Sequence, residues 1–182
     1  MSMETASMFA PTEGFEDMRT PQLAFSVIAA SVGALAGAGI GAGPAAAAPV
    51  ACPELPQNVI DDAVRTVAPP FPGVAWQVGA MGGSVDCTLN WVRLDTPQGT
   101  ASSPVQILSF DHRKFAGTPT KRANAYTSVV GSAGPGQITV RFAWLEPSDP
   151  NAAPSGRADV RFQTMPQSPP RPLDPIPAPV AD

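Results

Sequence analysis

The stretch QITVRFAWL, Gln137 to Leu145, decides the fold. Ile138, Val140, Phe142 and Trp144 alternate with Thr139, Arg141 and Ala143, the period of two that marks a strand with one buried and one wet face. AYTSVVG (125–131) leads into it through SAGPG, which carries Gly and Pro where a tight turn needs them. ADVRFQT (158–164) repeats the alternation, with Ala158, Val160 and Phe162 inward and Asp159, Arg161 and Gln163 outward. Upstream, PVQILSF (104–110) is apolar on both faces and reads as a central strand. TLNWVRL (88–94) places Leu89 and Trp91 on one side, AMGGSVDC (80–87) reads as a glycine-rich loop, and FPGVAW (71–76) as an extended segment.

Before the strands, LPQNVIDDAVRTV (55–67) sets Ile60, Ala63, Val64 and Val67 on one helical face. Asp61 and Asp62 fall in the early turns, where they complement the helix dipole, and Pro69-Pro70 stop the helix. Together these predict an α+β fold: a single small domain, residues 48–165, with a twisted, mostly antiparallel sheet and one N-terminal helix packed on it. From Pro166 to Asp182 there are seven prolines in 17 residues, which reads as an extended, flexible tail, with LDPIP (173–177) as its one candidate docking segment.

The 182 residues carry a net charge of −4. Most of that acidity precedes an uncharged, Ala- and Gly-rich run at 22–43, and from Ala48 onward 10 basic and 11 acidic residues leave only −1. A nearly neutral domain with no basic cluster argues against nucleic acid or an anionic membrane surface as partner.

The strongly apolar part of that run, Leu23 to Leu35, is short for a membrane span and suits the core of a signal peptide, with Arg19 just before it. The acidic residues at 4–17 fit such a leader badly, so translation is expected to start at Met18, making 1–17 an extension and 18–47 the signal peptide. A retained transmembrane anchor is the alternative. Signal peptidase needs small residues three and one before the cut, which favours cleavage between Ala47 and Ala48. A cut one residue later would place Pro49 first.

Two cysteines remain, Cys52 and Cys87. Only Ala51 before Cys52 suits a lipoprotein signal, where Leu is usual three positions before the cysteine and Pro49 stands here. Export leads to an oxidising compartment, where two cysteines in a small domain usually pair. The bridge would close a loop of about 35 residues and contribute about 3–4 kcal/mol by restricting the unfolded chain. Lipidation of Cys52 stays open as the alternative.

Other residues offer less chemistry. His112, the only histidine, lies in FDHRKF with Asp111 and, two residues before that, Ser109. Neighbours on a strand point to opposite faces, so Asp111 is not expected to orient His112, and a solvent-facing turn is the expectation. One histidine and two paired cysteines are too few soft ligands for zinc. EPSDPNAAPSG (146–156) holds Glu146, Asp149, Asn151 and Ser155 without the spacing of a calcium loop, and reads as a surface connection. Trp76, Trp91 and Trp144 are core candidates that could also line an apolar pocket. No cofactor, metal or catalytic set is expected.

The run LNWVRLDTPQGTASSPVQILSFDHRKFAGTPT (89–120), followed by AYTSVV, ITVRFAWL, NAAPSG (151–156) and a closing LDPIP, resembles the LppP/LprE family of actinobacterial lipoproteins. The likeness runs over about residues 52–177. It implies a cell-envelope protein of unknown biochemical function, without assigned catalytic residues. Cys87, in DCTLNW, also looks familial, which fits a pairing with Cys52. Residues and resemblance together predict a secreted or extracytoplasmic envelope protein that acts as a non-catalytic binding module for an envelope partner. A carrier of a lipid or other apolar ligand is the alternative, and an envelope hydrolase the weakest third. Membrane contact is expected only through a lipid anchor or an uncleaved signal segment.

Overall fold

The computed structural model describes residues 52–181. The expected extension 1–17, the leader 18–47 and the cleavage between Ala47 and Ala48 lie outside them. Helix α1 (Gln57–Val64) comes first, then β1 (Gln77–Gly83), β2 (Leu89–Asp95), β3 (Val105–Asp111) and β4 (Lys114–Gly117). After these follow β5 (Ser128–Gly134), β6 (Gln137–Trp144), β7 (Gly156–Met165), β8 (Ser168–Pro172) and a short 3-10 turn at Ala178–Val180.

The strands form two antiparallel four-stranded sheets, β1-β2-β3-β4 and β5-β6-β7-β8, rather than the single sheet expected. Alternation along a strand reveals which face is buried but not what buries it, and here two different layers do so. On one face of the first sheet, Val92, Leu94, Leu108 and Phe110 pack with Leu55, Ile60 and Ala63 from the helix and its approach. On the other, Leu89 joins Ile138, Val140, Phe142, Val160 and Phe162 of the second sheet. The order is therefore helix, sheet, sheet. Strand β3 sits in the middle, which explains why its first six residues are all buried. The second sheet keeps its outer face in water, as the alternation in QITVRFAWL requires.

Four boundaries differ from the sequence reading. The helix ends at Val64, so Asp61 and Asp62 lie in its middle and its first turn holds no acidic residue. The glycine-rich 77–83 is strand β1, paired to β2 with a bulge between Val78 and Met81. Its glycines are steric: a Cβ on Gly83 would lie 2.6 Å from both Asn90 Oδ1 and Cys52 Sγ, and one on Gly82 would strike the Trp91 ring. KFAG, which no strand pattern in the sequence marks, is strand β4. Finally, the supposed tail is built into the fold: β8 pairs with β7, Pro170 is buried on this edge strand, and Val180 closes one end of the inter-sheet core. The domain thus runs past residue 165, through the 3-10 turn.

Candidate functional site

Cys52 and Cys87 are joined by a disulfide with their Cα atoms 5.3 Å apart. It ties the approach to α1 onto the β1–β2 turn. Cys87 adopts a left-handed backbone (φ 56°) in that turn. Buried Asn90 donates from Nδ2 to the carbonyls of Cys87 (3.0 Å) and His112 (2.8 Å), linking the disulfide turn to the β3–β4 hairpin. Asn90 escaped the sequence reading; its signal was a polar side chain on the strand face that carries Val92 and Leu94.

Asp86 performs a second coupling, between the sheets. Its carboxylate accepts from the hydroxyls of Ser84 and Thr88 at 2.6 Å and from the backbone N–H of Gly136 at 2.8 Å, across in the β5–β6 turn. The little burial it has pushes its carboxyl up. The hydrogen bonds from Ser84, Thr88 and the Gly136 and Thr88 backbone outweigh this and hold it well below the ordinary carboxylate range.

One concavity measures about 570 Å³. It opens between the chain leaving α1 and the edges of both sheets. Val67, Pro69, Pro70, Phe115 and Pro169 supply apolar walls, and Lys121 and Arg122 stand on the 118–123 loop. That loop is built around the buried Thr120. Its hydroxyl donates to the carbonyl of Arg122 (2.9 Å), and its carbonyl accepts from the Thr118 hydroxyl (2.7 Å). Gly117 must be glycine at this junction, since it holds φ 124° and a Cβ would lie 2.8 Å from Pro169. By contrast, the cores on either side of the first sheet are filled by side chains at most 9 % exposed.

The three tryptophans do not meet. Trp76 packs against the helix-side core and donates to the Ala68 carbonyl at 2.8 Å. Trp91 packs against the inter-sheet core and borders a smaller cavity of about 330 Å³ beside Cys52. Trp144 lies over Gly156 and donates to Glu146 at 2.8 Å.

His112 sits in the hairpin turn with φ 54°, its side chain 72 % exposed. Contrary to the alternation argument, that turn lets its Nδ1 reach Asp111 Oδ1 at 2.9 Å. Ser109 completes no triad: its hydroxyl is fully buried and has no hydrogen-bond partner. In the 146–156 loop the oxygens serve the loop and its protein neighbours. Asp149 accepts from the N–H groups of Glu146 and Ser155 and from the Ser155 hydroxyl, which hold its carboxyl below its ordinary value. Asn151 receives the Tyr126 hydroxyl. Among the described residues no group of three His, Cys, Asp or Glu side chains could hold a metal, and no helix is long and apolar enough to cross a membrane.

The sequence shows no basic run, yet the fold gathers Arg141, Arg157, Arg161 and Arg171 on the outer face of the second sheet. Strand alternation hides such a cluster, because its members are never adjacent in the chain.

Residues 84–167, from the disulfide turn to the β7–β8 turn, match the family model described as LppP/LprE lipoprotein. The resemblance read from the sequence is borne out over this narrower range, which includes Cys87 but not Cys52 or α1. Proteins named "Putative lipoprotein LppP" from Mycobacterium bovis and Mycobacterium tuberculosis are 31% identical over 105 residues, 58% of this chain. The chain spans 59% of the length of those relatives. No solved structure matches it.

Proposed function

Taking residues 84–167 as similar to the LppP/LprE lipoproteins, we propose that this chain is an extracytoplasmic envelope protein whose domain is a non-catalytic interaction module. The observation that carries the reading is the contrast between two filled cores and an open groove of about 570 Å³ between the chain leaving α1, β4 and β8. A carrier needs an enclosed apolar space for its cargo; a surface groove walled by prolines and Phe115 suits an extended segment of a partner. The Cys52–Cys87 bridge supports an oxidising location outside the cytoplasm. It also favours a disulfide over a lipid on Cys52, since a sulfur bonded to a lipid cannot pair.

Ala123 lines the groove and belongs to neither core, so Ala123→Trp fills the groove from its wall. Wild type should capture a defined envelope component that the variant, melting at the same temperature, does not. Identical capture by both proteins refutes the groove reading. Recovery of stoichiometric lipid by solvent extraction of the purified protein replaces it with the carrier.

A further inference from the structure

We infer that the outer face of the second sheet, carrying Arg141, Arg157, Arg161 and Arg171, docks the protein by charge onto the phosphates of an anionic phospholipid bilayer. Outward positions on neighbouring strands are set by register: Arg141 lies opposite Asp159, Arg157 opposite Ala143, Arg161 opposite Thr139 and Arg171 opposite Gln163. Outward residues two apart on β7 stand about 7 Å apart, so the four guanidinium groups form an array across β6, β7 and β8 rather than a line.

Only two carboxylates interrupt that array, and both are engaged. Arg141 holds Asp159 through two bonds of 2.7 Å. Arg161 holds Asp174 through bonds of 2.9 and 2.8 Å, with its own backbone N–H as a third donor. The side chains of Arg157 and Arg171 make no hydrogen bond or salt bridge among the described residues, although the charge of Arg157 also acts on Asp159. Four arginines and two aspartates give this face a charge of +2, whereas the described residues as a whole hold ten basic and ten acidic side chains. The remainder therefore carries −2, and the charge separation orients the molecule with this face toward a negative surface.

The shape selects the occupant. Thr139, Ala143, Gln137 and Gln163, none of them a large apolar side chain, take the outward positions between these arginines. A level lattice of phosphates satisfies such an array, and guanidinium forks bind phosphate oxygens in pairs. A single polyanionic strand would meet only one row.

The test is flotation of the full chain with vesicles of phosphatidylglycerol in phosphatidylcholine against phosphatidylcholine alone. Any contribution of the apolar 22–43 segment is common to both. Each arginine near an anionic surface is worth about fivefold in partitioning. Arg157→Gln with Arg171→Gln should therefore lower binding to the anionic vesicles about 25-fold, and raising the salt should do the same. Arg113→Gln, on the β3–β4 hairpin, should leave it unchanged. Asp159→Asn releases Arg141 and should strengthen binding, a gain that misfolding cannot mimic. Equal binding to both vesicle types, or no response to Asp159→Asn and the double variant alike, overturns the proposal. Stronger, variant-sensitive binding to soluble polyphosphate than to vesicles of equal phosphate content also overturns it, in favour of a polymer.

Discussion

Replacing Asn90 by Ala should loosen the whole disulfide end of the domain. The side chain is 5 % exposed and its amide feeds two backbone carbonyls, Cys87 at 3.0 Å and His112 at 2.8 Å. Truncation leaves both without a donor. An unsatisfied buried carbonyl costs about 1–3 kcal/mol, and these two are only partly buried, so a loss of about 2–4 kcal/mol is expected. For a domain of this size each kcal/mol shifts the midpoint by roughly 3–5 °C, which puts the drop near 10 °C. Guanidinium unfolding in oxidising buffer measures it, with an unchanged slope showing that only stability has moved. Asn90→Asp sharpens the test. At neutral pH it sets a carboxylate against two carbonyl oxygens and should cost more than Ala; acid should restore part of the loss, because the protonated acid donates one bond. A change below about 0.5 kcal/mol in the Ala variant, the size of an ordinary surface substitution, would refute the clamp.

Two further perturbations probe the sheet packing. Phe142→Ala removes a ring that is 1 % exposed and meets Phe162 edge-on at 6.4 Å, so about 3–5 kcal/mol should be lost in the same unfolding assay. The depressed Asp86 carboxyl stabilises the fold above its ordinary value of 3.8 and loses that contribution as pH falls through its lower folded value. Asp86→Asn should therefore flatten the acid limb of the stability profile, and parallel profiles for the two proteins would count against the inter-sheet link.

Where the chain obeys a simple period, the sequence was enough. Strands β6 and β7 announce themselves, the doubly apolar β3 reads as central, and Ile60 and Ala63 mark the buried stripe of α1. What escaped was whatever depends on a neighbour. The glycines of β1 resemble a loop until the Trp91 ring and the Asn90 amide are seen to occupy the space where their side chains would lie. The prolines of β8 resemble a tail until an edge strand is available to tolerate them. The second sheet was invisible for the same reason: Leu89 and Phe142 both signal burial, and neither signals that they bury each other's layer. The groove at Phe115 and the arginine face are likewise products of assembly, drawn from residues dispersed along the chain. The site candidates fared according to locality, since the cysteines could be paired by counting, whereas three tryptophans in three environments could not be sorted by composition.

The proposal of an extracytoplasmic, disulfide-bonded domain rests above all on the chemical state of Cys52. Intact-mass measurement of the exported protein, with and without reduction before alkylation, tests it most directly. The expected result is a chain lacking two hydrogens, with Cys52 and Cys87 alkylated only after reduction. A diacylglycerol adduct on Cys52, or two thiols that alkylate without reduction, would contradict it.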